Sequence, residues 1–321
     1  MRVGAIDCGT NSIRLLIADV TVDEGGTRSL VDIERTMEVV RLGQGVDRSG
    51  RLDPQALERT FVAARRYAQH CRDAGCEVVR FVATSATRDA ENSADFVEGV
   101  REAFADFDVV PEVVSGDEEA ELSFAGATGA LAEHEIEGPY LVVDLGGGST
   151  EIVRGTHEVM GEISLDIGCV RMTERHLRSD PPTQAEVDAA RADIADALDR
   201  AEATVGFGGV HALVGLAGSI TTVTAHALGL TSYDSQAIHL ATLTPQETMT
   251  AAEGLVQATR AERAALGFMH PGRVDVIGAG ALVWYEIVDR VNAASPGVAV
   301  VTSEKDILDG IAYSAAERAS V

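Results

Sequence analysis

Apolar residues follow two different spacings along this chain of 321 residues. Short runs rich in Val, Ile and Leu, such as Tyr140 to Val143, are typical of strands buried on both faces of a sheet. Longer segments repeat apolar residues every three or four positions, as amphipathic helices do. One of these opens at Asp53-Pro54 and closes at Gly75, which predicts an N-cap, a proline in the first turn and a glycine C-cap. The alternation of strands and helices predicts an α/β fold.

The order of the predicted elements indicates two domains of the same kind. Three strands are followed by helix, strand, helix, strand and helix, and a second series begins at Tyr140. This order is typical of ribonuclease-H-like domains. We predict a first domain at residues 1–125, a second at 126–304 with a hinge near 124–138, and a terminal helix at 305–321 that can pack back on the first domain.

A short segment occurs twice, once near the start of each predicted domain. Residues 7–12 (Asp-Cys-Gly-Thr-Asn-Ser) and 144–150 (Asp-Leu-Gly-Gly-Gly-Ser-Thr) both follow an apolar strand and both lead into another. Glycines allow close approach and positive φ, so the turn N–H groups can converge on an anion, and an aspartate can hold a divalent cation. Two such hairpins facing each other predict phosphoryl chemistry in an interdomain cleft.

Other phosphate-binding and nucleophilic motifs are excluded by the residues present. The dinucleotide fingerprint needs a helix after its glycines, whereas residues 151–154 read as a strand and the G-x-G-x-x-G spacing is missing. A P-loop needs Gly-Lys-Ser/Thr, and the one lysine of the chain, Lys305, follows Glu304. A lysine nucleophile is disfavoured for the same reason.

Composition narrows the class of partner. The formal net charge of −25 argues against nucleic acid as a partner. No run of about eighteen apolar residues is present and no signal-peptide layout follows Met1, so we expect a cytoplasmic protein with no membrane partner. The four cysteines have no metal-pair spacing and are expected to be reduced, with Cys8 a small buried filler.

Acidic residues cluster where a strand meets a helix, at Ser115 to Glu119. Ser115 and Glu118 fit a capping box, which gives Glu118 a structural role. Glu119 lies about 100° further round the helix and cannot share that role. Beside a phosphate site, we interpret Glu119 as a general base for water, the alternative being a residue with no catalytic role.

Three further segments carry candidate polar groups. Arg88 and Asn92 are predicted one turn apart on a helical face as an oxyanion clamp, the alternative being a surface ion pair of Arg88 with a neighbouring acid. Gly218-Ser219 follows a strand and offers a third set of N–H donors, with close helix packing as its alternative. A basic stripe, expected to be solvated, comprises Arg171, Arg175 and Arg178.

Taken in this order, these segments resemble the Ppx/GppA phosphatase family of the actin-like ATPase superfamily, the exopolyphosphatases and guanosine pentaphosphate phosphohydrolases. The resemblance spans nearly the whole chain and implies the short form with two ribonuclease-H-like domains. It implies Glu119 as catalytic base and Arg88 as a phosphate contact. Many relatives carry Gly-Leu-Arg-Glu-Gly near the C-terminus, whereas this chain reads Asp-Ile-Leu-Asp-Gly at 306–310. For the Mg²⁺ ion, the resemblance implies Asp144 and Glu151 as ligands, and Asp7 is a further candidate. For the substrate phosphate, it implies the turn of Gly146, Gly147 and Gly148. The sequence pattern adds further candidate phosphate contacts, namely Asn11, Ser12, Ser149, Gly218 and Ser219.

We therefore expect a Mg²⁺-dependent hydrolase, Mn²⁺ being an alternative metal, that releases terminal phosphate from inorganic polyphosphate. The nearest alternative is hydrolysis of guanosine pentaphosphate (pppGpp). A kinase of the same superfamily would need an acceptor pocket, and a non-catalytic polyphosphate or alarmone sensor would bind without hydrolysis. The family also suggests a homodimer.

Overall fold

Strands and helices alternate through the computed structural model, which describes residues 1–22, 28–107, 109–133, 136 and 138–319. The chain forms two units, one of residues 1–126 with 307–321 and the other of residues 127–306. The boundary at 126/127 falls inside a helix, and residues 134, 135 and 137 of the predicted hinge lie outside the described residues. No helix in the described ranges combines the length and apolarity needed to cross a bilayer.

The elements follow one another along the chain in two series. The first series is β1 (Arg2–Cys8), β2 (Ser12–Val22), β3 (Arg28–Val39), α1 (Val46–Ser49), α2 (Pro54–Ala74), β4 (Val78–Ala83), α3 (Ser85–Arg88), α4 (Ser93–Ala103), β5 (Glu112–Val113) and α5 (Gly116–Glu133). The second series is β6 (Tyr140–Leu145), β7 (Thr150–Gly155), β8 (Val159–Leu165), α6 (Cys169–Arg175), α7 (Gln184–Val205), β9 (Ala212–Leu216), α8 (Ala217–Ala227), α9 (Ser235–Ile238), β10 (Thr242–Leu243), α10 (Pro245–Gln257), α11 (Arg260–Ala264), α12 (Ile277–Ala294), β11 (Ala299–Thr302) and α13 (Ile307–Ala319).

The first unit is built on a five-stranded sheet in the order β3-β2-β1-β4-β5. Neighbours in β3-β2-β1 are antiparallel, whereas β1, β4 and β5 run parallel. One face carries a core with α2 and α4, which includes Ile6, Leu15 and Phe81. The other face packs on α13, where Ile307 and Ile311 join strand residues such as Val3, Leu16 and Val82. Because helices cover both faces, β1 is buried along nearly its whole length.

The second unit repeats this topology. Its sheet has the order β10-β11-β9-β6-β7-β8, so that β8-β7-β6-β9-β11 corresponds to β3-β2-β1-β4-β5, with β10 added at one edge. The prediction of an α/β fold with two ribonuclease-H-like domains is therefore confirmed. Its core centres on α12, whose Trp284 and Ile287 are fully buried.

Local signals in the sequence were correct at both ends of α2 and wrong between Arg88 and Asn92. Asp53 caps α2 and Gly75 ends it with φ 70°, as predicted. The helix predicted to join Arg88 with Asn92 is wrong, since α3 ends at Arg88 and α4 begins after Asn92. The Asn92 side chain instead pairs with the backbone of Leu52, accepting from N at 2.8 Å and donating to O at 3.2 Å.

Candidate active site

The turn between β1 and β2 is closed by a hydrogen bond from Gly9 N to Ser12 O (3.0 Å). Its carbonyls are occupied by backbone from a later segment, since Gly43 N donates to Thr10 O (2.8 Å) and Val40 N to Asn11 O (3.1 Å). The Thr10 hydroxyl pairs with that of Ser85 at 2.9 Å. The turn is thus held rigidly at the carboxyl ends of β1 and β4.

The turn between β6 and β7 repeats this geometry. Gly146 N donates to Ser149 O at 3.0 Å, the equivalent bond at the equivalent positions. Its carbonyls are again occupied, because the first N–H groups of α6 donate to them: Cys169 N to Gly146 O (3.0 Å) and Val170 N to Gly147 O (2.8 Å). The turn therefore caps α6, and its peptide dipoles point their N–H ends away from that helix.

The N–H groups of Gly147 and Gly148 donate to none of the described residues, which leaves them available to an anion. The predicted reason for the glycines was partly wrong, since neither Gly9 nor Gly146 has a positive φ. Close packing is required instead at Gly168, where a Cβ would lie 2.4 Å from the Gly147 carbonyl carbon. That glycine lets α6 approach the turn.

The two hairpins differ in the residue paired across the strands with each aspartate. Asp7 is opposite Arg14, whose Nε and Nη2 both donate to Asp7 Oδ2, at 2.9 and 2.6 Å. Asp144 is opposite Glu151, so two carboxylates are cross-strand neighbours. Ser164 on β8 is the cross-strand neighbour of Glu151 on the other side and donates to Glu151 Oε1 at 2.7 Å. Asp144 is 7% exposed and Glu151 1%.

The acid pair fits a hard divalent cation. Mg²⁺ prefers oxygen ligands and is commonly bound by one or two carboxylates together with water and substrate phosphate. No group of three or more His, Cys, Asp or Glu side chains suited to a metal occurs in the described part of the chain. Asp7 already accepts two bonds from Arg14, and its predicted metal role stays a prediction.

A third loop lies beside the second turn, because β9 is parallel to β6 with Leu216 next to Asp144. Ala217 begins α8 with φ 68°, a strained value for a residue with a Cβ. Ser219 lies close to Cys169, whose N–H donates to Gly146 O, because side-chain atoms of both residues lie within 3.2 Å of the position that a Cβ would take at Gly280. The structure thus brings the predicted residues Gly218 and Ser219 to the turn at 146–148.

Sequence reasoning missed one cation at this loop. The guanidinium of Arg273 stacks on Gly218, where an added Cβ would lie 2.3 Å from Cζ. Within the described residues, its hydrogen bond is a long one to Thr222 Oγ1 (3.5 Å), and it has no carboxylate in salt-bridge contact. The sequence signal was weak, because 55 residues separate Arg273 from the glycine that accommodates it.

In the first unit, Glu119 and Arg88 meet near the ends of β4 and β5. Arg88 Nη1 donates to Glu119 Oε2 (3.1 Å) and to Val114 O (3.0 Å), and Glu119 is 7% exposed. Arg88 therefore pairs with Glu119, and the alternative prediction of a surface ion pair with an acid next to it in sequence is wrong. Arg88 and Glu119 thus form an ion pair within the first unit.

Glu118 turns a different way from Glu119. Its Oε1 accepts from Arg80 Nη2 at 2.7 Å, so only half of the predicted capping box exists: Glu118 N donates to Ser115 Oγ at 3.1 Å. Arg171 also departs from prediction, because its Nε donates to Gly148 O at 2.6 Å and its side chain is 11% exposed. The Arg171 side chain therefore contacts the turn at 146–148 and is not solvated as predicted.

Comparison with known proteins agrees with this geometry. The model of the Ppx/GppA phosphatase family matches residues 20–318. The chain belongs to the Ppx/GppA phosphatase family. This confirms the prediction made from the motifs, and with it the prediction of a phosphatase.

Relatives of this family match the chain over its whole length. Exopolyphosphatase 2 of Mycobacterium tuberculosis is 48% identical over 320 residues, 98% of each chain. The crystal structure of an exopolyphosphatase-like protein superposes with a TM-score of 0.93 at 43% identity, covering 99% of this chain and all of the other. The Aquifex aeolicus PPX-GPPA enzyme gives a TM-score of 0.79 at 30% identity, with 98% and 99% covered.

Proposed function

We propose that this member of the Ppx/GppA family is an exopolyphosphatase, which hydrolyses the terminal phosphoanhydride bond of inorganic polyphosphate. The observation that carries the substrate assignment is the 48% identity, over 98% of both chains, to a protein named Exopolyphosphatase 2. The repeated turns with available N–H groups support it, since they suit a polyanionic substrate.

Glu119 acts as general base in this proposal. It accepts the proton of the attacking water while Arg88, which donates to its Oε2, holds the carboxylate in place. Nε and Nη2 of Arg88 have no acceptor among the described residues, so the same guanidinium can contact a substrate phosphate.

The second unit contributes charge neutralisation. Asp144 and Glu151 would hold Mg²⁺ or Mn²⁺, which supplies Lewis-acid stabilisation of phosphate oxygens when bound. The N–H groups of Gly147 and Gly148 donate to the same class of oxygen, as does Arg273 beside Gly218. Asn11, Ser12, Ser149 and Ser219 remain predicted phosphate contacts, and the cytoplasmic location and the homodimer remain predictions as well.

The base assignment is tested with two adjacent glutamates. Glu119→Gln should lower kcat for phosphate release from polyphosphate by about 10²–10⁴, with little change in KM. Glu118→Gln is the matched control, because that side chain binds Arg80 and should leave kcat near the wild-type value. Equal kcat values for wild type and Glu119→Gln would refute the assignment.

The metal assignment and the substrate are tested separately. Glu151→Gln should raise the Mg²⁺ concentration needed for half-maximal activity, while the circular dichroism spectrum stays unchanged.

The substrate is tested by comparing phosphate release from polyphosphate, pppGpp and ATP by the wild-type enzyme. Faster phosphate release from pppGpp would favour the alarmone as the substrate. Tight binding of polyphosphate without phosphate release, in Mg²⁺ or Mn²⁺, would favour a sensor.

A further inference from the structure

The C-terminal end of α2 brings two cysteines together. Gly75 N donates to Arg72 O (3.0 Å) and Cys76 N to Cys71 O (2.9 Å). These two bonds, with Gly75 at φ 70°, form a Schellman motif. In this motif the residue after the glycine contacts the residue five positions before it. Here those two residues are Cys76 and Cys71.

A glycine in the adjacent strand provides space for both sulfurs. The position that a Cβ would take at Gly4 of β1 lies 2.8 Å from Cys71 Sγ and 3.5 Å from Cys76 Sγ. Both sulfurs therefore lie within a few ångströms of one point above the backbone of β1. Both are free thiols in this structure.

The two thiols have unequal environments. Cys71 is fully buried, whereas Cys76 is partly exposed. A hydrogen bond from the Cys71 thiol, with Arg2 nearby, lowers the pKa of Cys76, and the same hydrogen bond together with burial raises the pKa of Cys71. Arg2 is fixed there because its Nη1 donates to Ala74 O at 2.9 Å. Cys76 is therefore the more accessible of the two thiols and the one that ionises more readily, and Cys71 is its neighbour.

The other two cysteines lack these features. Cys8 and Cys169 are buried, and burial raises the pKa of each thiol. Cys169 belongs to the second unit, and Cys8 is the last residue of β1, beyond the glycine that accommodates the pair. They serve as internal controls for reactivity.

We propose that Cys71 and Cys76 form an oxidant-sensitive dithiol that closes to an intramolecular disulfide. The oxidant is a hydroperoxide. With hydrogen peroxide, the Cys76 thiolate attacks one peroxide oxygen, which forms the sulfenic acid and releases hydroxide. Cys71 sulfur then displaces the sulfenic oxygen, which leaves as water with the Cys71 proton, and the S–S bond forms. One peroxide is thus reduced for each pair of thiols oxidised.

Peptide mapping of the full chain tests this directly. Purified protein is treated with a small excess of hydrogen peroxide, alkylated, and digested with trypsin without reduction. Arg72 lies between the two cysteines, so the disulfide links two separate tryptic peptides, residues 67–72 and 73–80. We expect this linked pair, a loss of two of the four thiols, and its disappearance after dithiothreitol.

Variants separate the disulfide from general oxidation. Cys76→Ser should abolish the linked peptides and leave Cys71 as a free thiol. In Cys71→Ser, Cys76 should progress to sulfinic acid, since its partner is missing. The proposal is overturned if wild-type Cys76 is oxidised without the linked pair, if both thiols remain alkylatable, or if Cys8 or Cys169 is oxidised first.

Discussion

Arg80 should stabilise the first unit through the ion pairs that its buried guanidinium makes. Its side chain is 4% exposed and donates to Glu112 Oε1 and Oε2 (3.1 and 2.8 Å), Glu118 Oε1 (2.7 Å) and Ser314 Oγ (2.6 Å). It therefore joins β4, β5, α5 and α13. We consider Arg80→Met, which removes the charge and keeps much of the volume.

The loss of stability in Arg80→Met depends on how well Glu112 and Glu118 remain solvated and paired without Arg80. Breaking a fully buried ion pair costs about 3–5 kcal/mol. Glu112 and Glu118 are about one-third exposed, and Arg318 still donates to both oxygens of Glu112 (2.9 and 3.0 Å). We therefore expect a loss of about 1–2 kcal/mol of unfolding free energy, at about 2–4 °C of Tm for each kcal/mol.

The pH dependence has a defined sign. Although burial acts to raise it, the hydrogen bonds from Arg80 and Arg318 lower the pKa of Glu112. A lowered folded-state pKa contributes stability above the ordinary carboxyl value, and that stability is lost as the pH falls through the folded value. The difference in Tm between wild type and Arg80→Met should be full at about pH 7 and shrink below about pH 4.

Thermal and urea unfolding followed by circular dichroism measure this effect. The fluorescence of Trp284, the one tryptophan of the chain, reports the core of the second unit and should be unchanged in the native variant. Arg318→Ala alone should cost about 0.5 kcal/mol, and the double variant should exceed the sum by roughly 1 kcal/mol. Wild-type stability in Arg80→Met, or strict additivity in the double variant, would refute the reasoning.

Three further predictions concern backbone positions and a cap. Gly310→Ala should unfold or strongly destabilise the first unit, measured by urea denaturation, because the Cβ would lie 2.0 Å from Leu122 O. Ala217→Gly should not weaken the protein and should add up to about 1 kcal/mol to the unfolding free energy from the same urea measurement, since φ is 68°. The backbone N–H of Thr183, above all, lowers the pKa of Glu186 to about 2, so NMR titration should find it there, and Thr183→Ala, which removes only the hydrogen bond from the hydroxyl, should raise it in part.

Much of the fold could be predicted because its signals are local. The start of α7 at Thr183 needs only the Thr and Glu of a capping box, both of which form it in the structure. The repeated hairpins at 7 and 144 were visible as a repeated motif. Two-residue strands such as β10 have too few positions to show any periodicity.

The errors in the site arise from contacts distant in the sequence. Glu118 fits a capping box, but Arg80, 38 residues earlier, takes its side chain. Asn92 fits a continued helix, but the backbone of Leu52, 40 residues earlier, takes its amide. Such competition is decided by packing, which the local pattern does not contain.

The two repeated hairpins differ in the charge of the residue that is paired with each aspartate. Both have the same turn hydrogen bond and the same cross-strand register, but Asp7 is opposite Arg14 and Asp144 opposite Glu151. An ion pair balances its charge within the hairpin, whereas like charges directly opposite each other are destabilising. Both Asp144 and Glu151 are buried, the hydroxyl of Ser164 donates to Glu151, and a divalent cation bound there would add opposite charge. The replacement of a basic partner by an acidic one is thus the feature by which the second hairpin suits a metal better than the first.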